Sequence, residues 1–505
     1  RTAIQLYVQG SWHQVDVYDR SDLPEGYKGC GPLLLTDQNS THFIEPGWYL
    51  EVLASGALVL EKRINEKAVQ EEAINAPEIK KTAANYDPVT LEIFNHLFMS
   101  VAEQMGFVLE KTASSVNIKE RLDFSCAVFD RQGELVANAP HIPVHLGSMS
   151  ESIHVVMREH KDMQPGDAFV LNTPYNGGTH LPDVTVVKPV FIDQSECADF
   201  FVAARGHHSD IGGIAPGSMP PESRAIDEEG VLLDNLLLVD EGRFCEAEIR
   251  TELTSGDFPA RNPDRNISDL RAQIAACTRG AELLTGAATD QGADVLAAYM
   301  RHVLANAEES VRRLLDRLED GAFTYPMDNG AQIQVAIRIN RTDRSAVFDF
   351  TGTSAQQDNN FNAPRSITRA AALYVVRTLI DDVIPMNDGC LRPIELVVPE
   401  GSMLNPVFPA AVVAGNVETS QVVTDALFAA TGKLAPSQGT MNNFTFGNEQ
   451  HQYYETIAGG SGAGPDHDGT SAVQTHMTNS RLTDPEILET RLPVRLDRFA
   501  IRKGS

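Results

Sequence analysis

The sequence predicts an α/β (α+β) fold, a large mixed-sheet body with covering helices, preceded by a small β-rich domain. Three observations carry that expectation. Apolar runs rich in Val and Phe at 184–192 and 200–204 have the length and composition of strands. Long stretches of helical period, above all 267–319, are interspersed with them. With 505 residues the chain exceeds what one hydrophobic core holds, so two to four domains are expected.

Residues 1–62 make the β-rich unit. Alternation at 4–8 and 12–18 brackets Gly10-Ser11 as a hairpin signal, and further short strands are expected at 33–35, 48–53 and 58–60. No titratable cluster appears there. Residues 63–85 are charged and Ala-rich without a strong apolar face, the pattern of a linker, and a body at 86–505 follows. Asp87 before Pro88 is an N-cap with Pro at the first helical position, and Val89, Ile93, Leu97, Val101 and Met105 make that helix's core stripe. A strand at 121–130, a helix at 150–160 and a strand at 167–171 come next. Later, 333–340 and 346–349 pair antiparallel, and helices occupy 368–380 and 422–430. The Gly- and Asn-rich stretches between 441 and 481 are too irregular for core strands and suit loops lining a site.

The net charge of −28, from 41 basic and 69 acidic residues, argues against a nucleic-acid partner, because no basic stripe is present to neutralise phosphates. No window has the length and apolarity of a membrane span or the pattern of a signal peptide. Six widely spaced cysteines without a CxxC pair fit reduced thiols in a cytoplasmic protein.

The chemistry concentrates in residues 172–213. Two polar clusters, His180/Asp183 and His207/His208/Asp210, flank the two central apolar runs. If those runs pair as a hairpin turned by 193–199, His180 and Asp183 enter one strand as His207 leaves the other, and both clusters meet at one end. Imidazole and carboxylate together suit a divalent Zn, Mn, Fe or Co, and three protein ligands with an open position would lower the pKa of a water. A single His is usually a hydrogen-bonded core or loop residue. Three His and two Asp in two clusters make His180, Asp183, His207 and His208 candidate ligands. His145 is a further ligand, a substrate contact or a bonded loop residue. Arg261 and Arg265 form either an anion site or a capping and salt-bridge corner. Asn416 and Thr419 stand at the mouth of the 422–430 helix, where they either bind substrate or cap.

NTPYNGGTHLPDV, ARGHHSDIGGIAPGSMP, RNPDRNISDLRAQIAA, FDFTGTSAQ with NFNAP, GNVETSQ and HMTNSR together resemble the hydantoinase B (HyuB) family. That family includes the C-terminal half of 5-oxoprolinase and the matching subunits of ATP-dependent N-methylhydantoinases and acetone carboxylases. Residues 1–62, with CGPLLLTDQNSTHFIEPGW, resemble the tail of the partner hydantoinase A part, which points to a fused, 5-oxoprolinase-like arrangement. The resemblance implies that an ATPase part precedes Arg1 and that a Gly-rich tail follows Ser505, so this chain alone is not expected to hydrolyse ATP. It implies a metal held by a His-x-x-Asp pair, here His180 and Asp183, with a later His, either His207 or His208. It implies ATP and Mg at the hydantoinase A-like part, which phosphorylates the amide oxygen. The present body would then hydrolyse the activated ring, with 5-oxoproline giving glutamate. Asp210, the unused His, or His145 would move the proton, and Arg205 or the Arg261/Arg265 corner would hold the substrate carboxylate. A homo-oligomer is expected. Two rivals share these residues: a carboxylase-type subunit using the same metal, and a non-catalytic scaffold with a structural metal or none.

Overall fold

The computed structural model describes residues 2–8, 11–37, 40–62, 87–139, 141–193, 195–382 and 384–501. It divides into two compact units, residues 1–82 and 83–505. The 63–85 linker of the sequence reading lies outside the described residues, as does Gly10 of the hairpin signal. In the first unit Thr2–Val8, Ser11–Asp19, Leu33–Thr36 and Thr41–Ile44 form one sheet, and Lys28–Cys30, Trp48–Val52 and Leu58–Lys62 another. Leu33, Leu35, Ile44 and Leu50 are its buried centre.

The second unit opens with helix α1 (Pro88–Thr112), whose N-cap Asp87 accepts from Thr90 N at 2.7 Å. The expected stripe holds at Val101 and Met105, which are buried, and at the half-buried Leu97, but it is out of phase over the first turns. Val89 and Ile93 are 70 % and 61 % exposed, and the buried face runs through Leu91, Phe94, Phe98, Val101, Met105 and Leu109. Constant steps of four drift by about 40° per step around a 3.6-residue helix, whereas alternating threes and fours hold one face.

Next come strands β1 (Phe124–Phe129) and β2 (Leu135–Asn138), the short helix α2 (Pro143–Leu146), helix α3 (Met149–Glu159), and strands β3 (Ala168–Leu171), β4 (Asp183–Val190), β5 (Phe200–His207), β6 (Leu236–Asp240) and β7 (Arg243–Phe244). These strands make one antiparallel seven-stranded sheet in the order β7-β6-β3-β4-β5-β1-β2. Both faces are covered. Cys126, Val128, Val184, Val186, Val202 and Ala204 pack under α1 and α4 (Pro263–Gln291), while Ala127, Phe129, Val187, Phe201 and Ala203 pack under α3. Burial on both faces is why these strands read as continuous apolar runs rather than alternating ones.

Helix α5 (Ala293–Leu315) leads to a second sheet of β8 (Gly321–Pro326), β9 (Gln332–Asn340), β10 (Ser345–Asp349) and, beyond α6 (Arg365–Thr378), β11 (Ile394–Val397). Its β10–β11 pair is parallel and the others antiparallel, so the unit as a whole is mixed α/β. Helix α7 (Thr419–Thr431) packs on β8, β9 and α6. The stretch expected to be all loop contains a hairpin, β12 (Asn443–Gly447) with β13 (Gln452–Thr456). No helix among the described residues is long and apolar enough to cross a membrane. All six cysteines are free.

Candidate functional site

β4 and β5 pair in the register that sets Asp183 opposite His207. Side chains of opposed residues lie on the same face of a sheet, and here that face is the α3 side. The 179–182 turn brings His180 back over the strand end, and Asp183 N closes it on His180 O at 3.1 Å. Gly178 is needed for that turn, because a Cβ there would lie 2.2 Å from the Asn172 carbonyl oxygen. α2 supplies His145. At Gly147, just after it, a Cβ would sit 2.3 Å from Ala370 Cα, so α2 and α6 meet backbone to backbone.

The result is three imidazoles on one carboxylate. His180 Nε2 and His207 Nδ1 each lie 3.1 Å from Asp183 Oδ1, and His145 Nε2 lies 3.1 Å from Oδ2. Thr179 Oγ1 donates to Oδ2 at 3.2 Å. Asn416 Nδ2 donates to His180 Nε2 at 3.1 Å and to Asp183 Oδ2 at 3.3 Å. All four principal side chains are buried. Burial alone would raise the Asp183 carboxyl, but the His145 and His180 rings reverse this and hold it well below the ordinary carboxylate range. Burial pushes the His207 imidazole down despite its bond to Asp183.

A buried carboxylate facing buried imidazoles offers the donor types of a transition-metal seat. Among the described residues, the group able to share one ion is His180, Asp183 and His207, with ligand atoms within 4.8 Å of one another. A tetrahedral ion with bonds of ~2.0–2.1 Å spaces its donors roughly 3.3 Å apart, close to the separations seen here. His180 has acceptors on both sides, Val413 O at 3.4 Å from Nδ1 and Asp183 from Nε2. If Nδ1 carries the single proton of the neutral ring, Nε2 and the carboxylate present lone pairs to each other, and a cation between them satisfies both. His207 Nε2 and Asn416 Oδ1 are buried without a hydrogen-bond partner. These residues therefore fit a divalent transition-metal ion.

Other nominated residues are placed elsewhere. His208 turns to the opposite face, where Nε2 meets Gln273 Oε1 at 3.1 Å and Nδ1 accepts from Asn266 Nδ2 at 2.9 Å, both on α4. It is therefore outside the metal group. Asp210 accepts from Gly212 N, Gly217 N, Arg261 N and Arg261 Nη1, each at 3.0 Å, so it clamps a loop and has no lone pair left for a substrate proton. Arg261 Nη1 and Nη2 also donate to the carbonyls of Gly212, Gly213 and Ala215, while its buried Nε makes no hydrogen bond and lies 3.8 Å from Glu449 Oε2, and Arg265 N caps α4 on Asn262 Oδ1. That corner is the capping and salt-bridge alternative. Arg205 is fully buried behind Asp183, bonded to Thr185 Oγ1, Ser148 Oγ and Ser152 Oγ at 2.7, 2.5 and 2.9 Å, and so is closed to a substrate carboxylate. Thr419 begins α7 and donates to Phe361 O at 2.6 Å. Asn416 does reach the site.

The sequence reading overlooked the layer around His207. Tyr454 stacks on its ring, centroids 4.8 Å apart at 20°. Arg121 lies 5.3 Å over the Tyr454 ring and donates to its carbonyl, and Asp123 sits 3.7 Å from Arg121 and takes His207 N on its carbonyl. A charged Arg-x-Asp at the mouth of the otherwise apolar β1 was the available signal.

Residues 87–505 match the family model described as Hydantoinase B/oxoprolinase. "5-oxoprolinase 1" of Arabidopsis thaliana is 44 % identical over 99 % of this chain and 41 % of its own length. "5-oxoprolinase" of Dictyostelium discoideum is 45 % identical over 94 % and 37 %. The chain thus spans about two fifths of the length of these curated relatives. The crystal structure of the ATP-dependent caprolactamase from Pseudomonas jessenii superposes with a TM-score of 0.71 at 25 % identity, covering 82 % of this chain and 75 % of that one. The chain belongs to the hydantoinase B/oxoprolinase family.

Proposed function

We propose that this chain is the ring-opening part of an ATP-dependent cyclic-amide hydrolase, with 5-oxo-L-proline to L-glutamate as its leading reaction. The observation that carries the reading is the convergence of His145, His180 and His207 on Asp183 in a seat fitted to a divalent ion. The names of the relatives and the caprolactamase neighbour support the substrate class. Phosphorylation of the amide oxygen falls to a hydantoinase A-like ATPase part, in the same longer polypeptide or a partner chain, using ATP and Mg.

A divalent cation held by His180, Asp183 and His207 would polarise the carbon–oxygen bond and lower the pKa of an incoming water. His145 stands outside that triad, its Nδ1 3.3 Å from Ser125 Oγ and its Nε2 on Asp183. Water adds across the carbon–nitrogen double bond of the O-phosphorylated ring and the carbon–nitrogen bond then breaks, so both protons of that water pass to the leaving nitrogen; the acyl phosphate left behind is hydrolysed by a second water to carboxylate and phosphate. His145 carries these protons in turn, and Asp183 stabilises the imidazolium formed on the way. Asn416 holds the His180 and Asp183 atoms in place through one amide.

With the ATPase part joined, His180→Ala should abolish glutamate release while ATP-dependent phosphorylation of the lactam persists. A panel of 5-oxoproline, hydantoins and acetone, each with ATP, tests the substrate class. Undiminished turnover after complete metal removal, or activity on acetone alone, would overturn the proposal.

A further inference from the structure

Beside the metal seat lies a cavity of about 360 Å³, walled on its apolar side by Met219, Pro220, Phe361 and Val417. Two other lining residues are one step from the triad. The Val413 carbonyl meets His180 Nδ1 at 3.4 Å. Asn443 Oδ1 accepts the Tyr454 hydroxyl at 2.8 Å, and the Tyr454 ring is the one stacked on His207. An apolar concavity of this size with a few convergent polar groups is the usual form of a small-molecule site. Among the described residues no Arg, Lys or His lines it, and its one ionisable side chain is Glu418.

We infer that this cavity receives the uncharged ring of a small lactam, with Glu418 facing the ring nitrogen. The inference rests on the cyclic-amide reading above and says where the ring goes. Glu418 stands on the wall shared with a second cavity of about 380 Å³. Its Oε1 is fixed by Thr440 Oγ1 at 2.8 Å and by Asn443 Nδ2. A carboxyl group suits both forms of the substrate, accepting the N–H of a lactam as carboxylate and donating to the bare nitrogen of an O-phosphorylated ring as acid. Burial raises the Glu418 carboxyl to about 7, where both forms are populated at neutral pH. With no cation in the lining, a substrate carboxylate would point out of the cavity, so what the cavity recognises is the ring and its nitrogen.

The test is a calorimetric titration of this chain, without ATP, using 2-pyrrolidinone and N-methyl-2-pyrrolidinone. The N–H lactam should bind about five- to tenfold tighter, the value of one buried hydrogen bond. Glu418→Met should erase that preference. Phe361→Ala should weaken both ligands by a similar factor and keep it. Equal binding of the two lactams by the unaltered chain, or a preference that survives Glu418→Met, would overturn the assignment. Should the Glu418 variant not fold, the unaltered chain and Phe361→Ala still decide the matter. If the joined enzyme opens 5-oxoproline but the two pyrrolidinones bind alike, the cavity assignment falls and the cyclic-amide reading stands. A clear N–H preference in an enzyme that opens no cyclic amide leaves the cavity and sinks the reading.

Discussion

At the end of β5 the chain passes from His207 to His208 and, with the pleat, from the α3 face of the sheet to the α4 face. His207 meets Asp183, and His208 meets two α4 amides. The two positions should therefore separate cleanly on substitution. His207→Ala should strip the protein of its bound divalent ion by elemental analysis. His208→Ala should keep the ion and lose about 1–3 kcal/mol of stability in denaturant titration, because it orphans buried Gln273 and Asn266. Asp210→Ala should cost more, about 3–5 kcal/mol, since it leaves the Arg261 guanidinium and three backbone N–H groups buried around a missing charge. The sequence revealed that His and Asp cluster here, because ligand chemistry is written in residue type and spacing. It did not reveal which charges were already spent. Arg205 looks like any candidate anion contact until Ser148, Ser152 and Thr185, residues 20 to 57 positions away in the chain, are seen to use its donors.

The same divide holds for whole elements. The β4–β5 hairpin was legible because both strands are apolar, short and separated by a polar turn. The β12–β13 hairpin was not, because Asn443 to Gly447 and Gln452 to Thr456 interleave polar and aromatic residues around an Asn448–Gln450 turn, β12 buries none of its residues, and β13 buries polar Gln452 and Thr456 beside Tyr453 and Tyr454. The turn between β1 and β2 offers a test at this scale. Asp130 Oδ1 accepts from Gln132 N at 2.9 Å and Glu134 N at 3.0 Å, yet burial raises its carboxyl from 3.8 to about 6. The folded state then holds a proton that the unfolded chain has released, so this group's contribution is fully present below about pH 4 and is lost as pH rises through about 6. Asp130→Asn, which cannot ionise, should flatten the fall in stability between those pH values, on the order of 3 kcal/mol for two pKa units. Thermal melts of both proteins from pH 4 to 8 would show it, and parallel curves would refute it. Gly147 offers a second test. Gly147→Ala should force α2 from α6 and cost about 1–3 kcal/mol, with turnover lost alongside because His145 rides on α2.

Across the whole second unit, the proposed metal seat is assembled from chain segments that share no local structure: α2, the β4–β5 hairpin, the 413–416 turn before α7, and β13 behind His207. These segments come from the seven-stranded sheet, the α2 and α6–α7 helices and the β12–β13 hairpin, so the seat exists only when those parts have packed together. An ion that binds the folded seat and not the unfolded chain must then stabilise the entire unit, by about 2.7 kcal/mol at a free concentration one hundred times its dissociation constant. Spread over a unit spanning residues 83–505, that amounts to a rise of roughly 3 °C in the unfolding midpoint. The shift should appear with Mn, Zn, Fe or Co in proportion to affinity, vanish in His180→Ala and His207→Ala, and persist in His208→Ala. Asn416→Ala, which removes a bond to His180 and Asp183 but none of the three triad ligands, should keep the shift while demanding more metal to reach it, by about 10- to 100-fold. A midpoint indifferent to every one of these ions would mean that the three imidazoles and Asp183 form a hydrogen-bonded core cluster. Ring opening would then have to proceed without the cation on which the proposed chemistry depends.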